Sequence, residues 1–175
     1  MAKIEYLVVH HSATPTSWSV EDIRRLHVDE NGWKDIGYHW VVHLNEEDTR
    51  AITSQGRPQN EDAHLEPWEY GAHCRGNNYR SLGICTVGNW SEEEINPLIR
   101  KELVATLVRL CLDLELSPEQ AIRGHNEMPN TATECPGTKV SMVKIRRDVG
   151  RYLEIVKSVM ENMLLWKKSK PSGQN

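Results

Sequence analysis

The sequence of 175 residues contains no phenylalanine and no apolar run of the length that a membrane span requires. Such a span needs roughly 18 consecutive apolar residues, which argues against a transmembrane protein. Residues 1–6 also lack an apolar segment with a cleavage site, so we expect no Sec-type signal peptide. Without export, disulfides are disfavoured, and reduced thiols or a metal ligand are expected at Cys74, Cys85, Cys111 and Cys135.

The residues that are present suit one folded domain. Hydrophobic residues make up 38% and charged residues 26% of the chain, which is enough apolar material for a packed core. The net charge of −4 is divided unevenly, because residues 139–175 hold nine basic and three acidic side chains. The preceding residues are strongly acidic and would repel phosphate, so we expect no nucleic-acid partner.

Apolar patterns predict strands that alternate with helices. Strands are expected at residues 4–10, 38–44, 50–54 and 82–87, with a hairpin joining the second and third. Helices are expected after Ser19, from Asn96 to Leu114, and from about residue 141 to 167, with a break at Gly150 left open. Residues 55–71 lack periodicity and predict a long surface loop.

These elements predict an α/β fold, a single domain with a central mixed β-sheet flanked by helices. The domain is expected to cover residues 1–168, with a basic helical segment at its C-terminal end. Residues 169–175 are expected to form a flexible tail.

Histidine is the first sign of chemistry, with eight residues in the chain. His10 and His11 end the first predicted strand, where an open sheet presents side chains to a crevice. His125 and Cys135 lie ten residues apart in a loop rich in proline. Two histidines and one thiolate around zinc would leave a fourth position for water, as in catalytic sites. A loop histidine with a buried thiol is the structural alternative.

Five co-linear segments resemble the type-2 N-acetylmuramoyl-L-alanine amidases, a family that includes phage endolysins and peptidoglycan recognition proteins. The likeness runs from about residue 4 to residue 152. The segments are 8–14 (VVHHSAT), 32–39 (GWKDIGYH), 71–73 (GAH), 81–84 (SLGI), and 124–137, which begins GH and ends CPG.

The resemblance implies a role for individual residues. His10, His125 and Cys135 fall on the zinc ligands of the family, and Tyr38 falls on the tyrosine that active members place beside the metal. Thr133 occupies a catalytic position where many phage members carry lysine and active recognition proteins carry threonine. Groove residues that would bind substrate are His73 and Asn77, with Asn78 as the alternative to Asn77.

The resemblance also implies a reaction and a setting. Zn²⁺ would assist hydrolysis of the amide bond between N-acetylmuramic acid and L-alanine in peptidoglycan, with Tyr38 orienting the water or stabilising the oxyanion. A monomeric phage endolysin is expected, made in the host cytoplasm and acting on the wall in the periplasm after membrane permeabilisation. The alternatives are a non-catalytic muropeptide-binding protein and a cytoplasmic amidase that recycles wall fragments.

Several further residues carry two interpretations. Trp68, in the 55–71 loop, is a candidate for lining the substrate groove, whereas the acidic residues of that loop, including Glu69, are expected to be solvated. His11 and His39 are expected to pack rather than bind metal. The basic C-terminal segment either packs a helix through Ile145, Val149 and Tyr152, or uses residues 163–168 for weak contact with anionic wall polymers or membrane.

Overall fold

A computed structural model describes residues 1–60 and 62–169, and its centre is a five-stranded mixed sheet. The strand order is β4-β3-β6-β2-β7, with β3 and β4 antiparallel and the other neighbours parallel. A small pair, β1 with β5, lies apart. The strands are β1 (Ala2–Lys3), β2 (Tyr6–His11), β3 (Trp40–Leu44), β4 (Ala51–Gln55), β5 (His64–Leu65), β6 (Ser81–Thr86) and β7 (Ile122–Gly124).

The helices begin where the sequence supplies caps. Ser19 and Asp22 form a reciprocal capping box before α1 (Val20–Arg25), which continues as a π-helical turn over Leu26–Glu30. Asn96 caps α2 (Pro97–Asp113), with proline in the first helical position. The remaining helices are α3 (Pro118–Ala121) and α4 (Met142–Ser169), and α4 has no break at Gly150.

The sheet is covered on both faces, which confirms the predicted architecture. On one face, α2 and the first half of α4 pack on Leu7, Val9 and Ile84. On the other face, Ile23 of α1 packs with Val41. Successive strand residues point to opposite faces, so His10 shares the α1 side with Val8. The parallel strands all end at the same edge of the sheet, and the candidate site lies there.

The segment 55–71 is anchored rather than free. Its backbone amides at Gly56 and Arg57 donate to the carbonyl oxygens of His39 and Tyr38, at 2.8 Å each. The expectation that Glu69 is solvated is wrong, because this side chain is fully buried. Its two side-chain oxygens accept hydrogen bonds from the backbone amides of Asn60 and Glu66, so both oxygens of this buried group have partners.

Only the first half of α4 packs against the domain. Ile145 and Val149 are buried as predicted, but the prediction for Tyr152 is wrong, because Leu153 occupies the core and Tyr152 is 53% exposed. Beyond Val156 the described side chains are exposed. No helix in the described part of the chain combines the length and hydropathy that a bilayer crossing requires. Residues 170–175 of the predicted tail lie outside the described residues.

Candidate metal centre

Strand pairing brings the two candidate histidine ligands together. The parallel register of β2 and β7 places Val9 opposite Gly124. His10, the next residue on β2, therefore lies beside His125, the first residue after β7. Their ring centroids are 4.5 Å apart. His10 is 1% exposed, whereas His125 is half-buried and faces solvent.

The loop after β7 returns Cys135 to the same place. The carbonyl oxygen of Cys135 accepts a hydrogen bond from the backbone amide of Asn126 at 2.8 Å. The backbone amide of Cys135 donates a hydrogen bond to the Thr133 hydroxyl at 3.1 Å. The Thr131 hydroxyl lies within hydrogen-bonding distance of the carbonyl oxygens of His125 and Met128, at 2.9 and 2.8 Å. These local bonds close the loop and leave the Cys135 sulfur 3.5 Å from Nδ1 of His10.

The donor set fits zinc. One ligand atom from each of His10, His125 and Cys135 lies within 4.8 Å of the other two. Zn–N and Zn–S bonds of about 2.1 and 2.3 Å at a tetrahedral angle separate nitrogen from sulfur by about 3.6 Å. The observed 3.5 Å between Cys135 Sγ and His10 Nδ1 agrees with that spacing. Three protein ligands of this kind are typical of catalytic zinc.

Burial sets the protonation of the ligands. It lowers the pKa of His10 well below its ordinary value, with the neighbouring His73 and His125 adding to the effect. Burial also lowers the pKa of His125. Both imidazoles are therefore neutral near pH 7, the form that binds metals. Burial raises the pKa of the Cys135 thiol to about 11, so deprotonation of this thiol near neutral pH requires a nearby cation.

Tyr38 lies beside this cluster, at the turn that leads into β3. Its ring centroid is 5.2 Å from that of His10. Burial raises its pKa well above the ordinary value, and the thiols of Cys85 and Cys135 act in the same direction. The phenol therefore keeps its proton and can donate a hydrogen bond.

An open cavity of about 510 Å³ adjoins the cluster. It passes His125 and extends between the segment after β5 and the loop after β7. Its walls include polar side chains and backbone suited to a peptide, among them His73, Arg75, Asn78, Asn130, Thr131 and Thr133.

The sequence model of the N-acetylmuramoyl-L-alanine amidase family, Amidase_2, matches residues 1–138. The chain belongs to this family. The match confirms the resemblance on which the site assignment depends, and it covers the strands and loops that hold every candidate ligand.

Individual amidases show how far the likeness extends. The endolysin of Enterobacteria phage T3 is 30% identical over 142 residues, covering 77% of this chain and 82% of that protein. The amidase of Sus scrofa is 30% identical over 146 residues, 75% of this chain, but the match spans only 21% of its length. The solved structure of the amidase LysC from Clostridium intestinale superimposes with a TM-score of 0.66 at 26% identity, covering 85% of this chain and 86% of that one.

Of the other predicted site residues, some line the cavity and others lie away from it. Thr133 lines the cavity, and its hydroxyl accepts from the Cys135 amide. Asn77 is buried and bonds to Arg80 and the Pro129 carbonyl, so it stabilises the loops, whereas Asn78 lines the cavity. Trp68 is 53% exposed, donates to Glu66 at 2.8 Å, and does not line the cavity.

Sequence reasoning missed two features of this candidate site. Cys85 on β6 is buried, packs near Tyr38 and helps to raise the pKa of its hydroxyl, although it drew attention only as one of four thiols. The buried histidines His39 and His73 pack edge to face, with centroids 5.6 Å apart. His39 was expected to pack, and it does, whereas His73 was interpreted only as a groove residue. Their adjacency depends on pairing between distant strands, which no local signal reveals.

Proposed function

We propose that this protein is a zinc-dependent N-acetylmuramoyl-L-alanine amidase that hydrolyses the bond between N-acetylmuramic acid and L-alanine in bacterial peptidoglycan. One observation carries the proposal: a His–His–Cys ligand set converges beside a protonated tyrosine, and one of its histidines, His125, lines an open cavity. A domain that only bound muropeptides would not need an open three-ligand set of this kind.

His10, His125 and Cys135 would hold the zinc ion. Bound zinc supplies a water of lowered pKa and polarises the scissile carbonyl. Tyr38 keeps its hydroxyl proton and would donate a hydrogen bond to the substrate oxygen as negative charge develops there. One well-placed donor of this kind contributes on the order of 10²–10³ in rate.

Thr133 has a more limited role in this proposal. A threonine hydroxyl carries no charge, so it does not replace the electrostatic contribution of a lysine at the same position. Its bond with the Cys135 amide holds the ligand loop, and its remaining hydrogen-bonding capacity faces the cavity. The peptide stem of the substrate would lie in this cavity, against Asn78 and Thr131.

The biological role proposed is that of a phage endolysin. The T3 endolysin supports it, since the similarity spans 82% of that protein. On this proposal a monomer is made in the cytoplasm of the bacterial host and reaches the wall in the periplasm after membrane permeabilisation. Lysis of cells by added enzyme would make the protein antimicrobial.

A weak contact with an anionic membrane surface through the end of α4 is part of the proposal. The segment 139–175 has a net positive charge, which complements anionic headgroups. Met163, Leu164 and Leu165 are 56–64% exposed and would enter the lipid interface. These apolar side chains favour lipid over wall polymers, which offer no apolar layer.

The test measures new L-alanine N-termini released from purified sacculi and from soluble muropeptides, together with bound zinc. We expect stoichiometric zinc and release by the wild type, with Tyr38→Phe slowed by about 10²-fold or more. Tyr152→Phe, an exposed tyrosine on α4, is the matched control and should retain full activity. Muropeptide binding without release would identify a recognition protein instead, and preference for soluble fragments would indicate wall recycling.

A further inference from the structure

The imidazole of His73 uses both ring nitrogens within the protein. Its Nδ1 lies 3.1 Å from Nε2 of His10, and its Nε2 lies 3.3 Å from the carbonyl oxygen of Ser81. A carbonyl oxygen only accepts hydrogen bonds, so Nε2 of His73 carries the hydrogen and Nδ1 is the acceptor. It follows that Nε2 of His10 donates to His73.

This direction fixes the state of the other nitrogen of His10. A neutral imidazole with its hydrogen on Nε2 has a lone pair on Nδ1. That Nδ1 is the atom 3.5 Å from the Cys135 sulfur. We infer that His73 is a positioning residue that holds His10 in the tautomer able to bind zinc through Nδ1. The inference rests on the proposed zinc-dependent function and assigns His73 to the metal centre rather than to the substrate.

Two glycines leave the space that the His73 ring occupies. A Cβ atom at Gly83 would lie 2.5 Å from Cγ of the ring, and one at Gly71 would lie 2.5 Å from Cδ2. The ring therefore occupies the volume that two side chains would otherwise fill. The backbone amide of His73 donates to Asn78 Oδ1 at 3.1 Å, which fixes the main chain as well.

His39 packs edge to face against His73. Its Nδ1 accepts from the Gly83 amide and its Nε2 donates to the Glu69 carbonyl, both at 2.9 Å, so its tautomer is also fixed. Histidine ligands of zinc usually donate their second nitrogen to a carboxylate, a carbonyl or water. Here a neutral histidine, held by a backbone carbonyl, takes that place.

The first test needs no variant. Long-range ¹H–¹⁵N spectra of the zinc-free wild type report which nitrogen of each imidazole carries the hydrogen. We expect His10 and His73 both to be protonated on Nε2. A His10 ring protonated on Nδ1 instead would overturn the inference.

The second test measures zinc affinity by competition with a fluorescent chelator. His73→Phe keeps the ring volume but removes the acceptor, and we expect zinc affinity to fall by about 10- to 100-fold. His73→Asn places an amide oxygen near the Nδ1 position and should recover most of the loss. His43→Phe is the matched control, because His43 is a buried histidine bonded to Leu44 and Ser54 away from the site.

Two negative results have different meanings. Wild-type affinity in a folded His73→Phe protein would overturn the positioning role and leave the proposed function intact. A wild-type protein that does not bind zinc would remove the proposed function itself. If His73→Phe does not fold, as judged by circular dichroism, the wild-type spectra decide the question.

Discussion

At the scale of single residues, two glycines have opposite surroundings. A Cβ at Gly83 would meet the His73 ring at 2.5 Å, whereas nothing lies within 4 Å of a Cβ at Gly150. We expect Gly83→Ala to destabilise the protein by roughly 1–3 kcal/mol through overpacking. Gly150→Ala, in the interior of α4, should stabilise it by about 0.5–1 kcal/mol. Urea unfolding measures both, and equal effects would contradict this account of the His73 pocket.

Residue types and family likeness indicated which three candidate ligands would lie together, but they said little about the surroundings of those ligands. His10, His125 and Cys135 were identified from spacing and family likeness, and the structure brings these three groups together. Asn77 was chosen over Asn78, yet only Asn78 lines the cavity, because the choice depends on which side chain caps the turn after His73. Neighbouring residues of the same type cannot be distinguished without that turn geometry.

At the scale of elements, an ion pair joins α2 to α4. Arg100 bonds to Asp148 and, with Arg147, lowers the pKa of that carboxyl below its ordinary value. A lowered pKa means that the pair stabilises the fold above about pH 4 and that this contribution is lost as the pH falls through the folded-state pKa. Asp148→Asn should therefore be less stable than the wild type at pH 7, and this difference should shrink as the pH falls below 4.

A double-mutant cycle with Arg100→Gln checks that prediction. The coupling energy from urea unfolding should be small, because both side chains are partly exposed, and it should vanish in acid. A coupling that does not weaken as the pH falls below 4 would show that packing, not charge, links these positions.

The second prediction at this scale concerns the end of α4. Truncation after Met160 should leave the melting temperature nearly unchanged, because the removed residues up to Lys167 are exposed. Binding to vesicles that contain phosphatidylglycerol should be lost, while the full chain should bind them less as salt rises above 150 mM. Neutral vesicles are the control. Equal vesicle binding by both forms, or binding to wall polymers alone, would contradict the lipid contact.

The long helix α2 could be predicted from the sequence, whereas strand β7 and the anchoring of residues 55–71 could not. The regular spacing of apolar residues and the Asn96–Pro97 start predicted α2, and the structure confirms it. Strand β7 was missed because three residues carry no measurable periodicity. The anchoring of residues 55–71 was also missed, since it depends on a buried carboxylate, and acidic side chains are rarely buried.

For the whole molecule, apolar packing holds the sheet between its helices without any metal–ligand bond. The hydrophobic clusters on the two faces of the sheet are built from side chains such as Leu7, Ile84 and Val41. We expect the zinc-free protein to keep its fold and a cooperative thermal transition while losing amidase activity. Circular dichroism and N-terminus release on the same chelated sample measure the two properties, and readdition of zinc is the control. An unfolded zinc-free protein would indicate a structural metal instead.

The register of β2 against β7 has a dynamic consequence. His125 follows a three-residue edge strand, while His10 belongs to a strand paired on both sides. Edge strands fray more easily than interior ones. Ile122 and Gly124 donate their backbone amides to Pro118 and Glu127, so the amide of Arg123 is the one that faces β2. An ion that joins the two histidines would therefore fasten this edge of the sheet to its interior, and amide hydrogen exchange at Arg123 should slow when the cation binds.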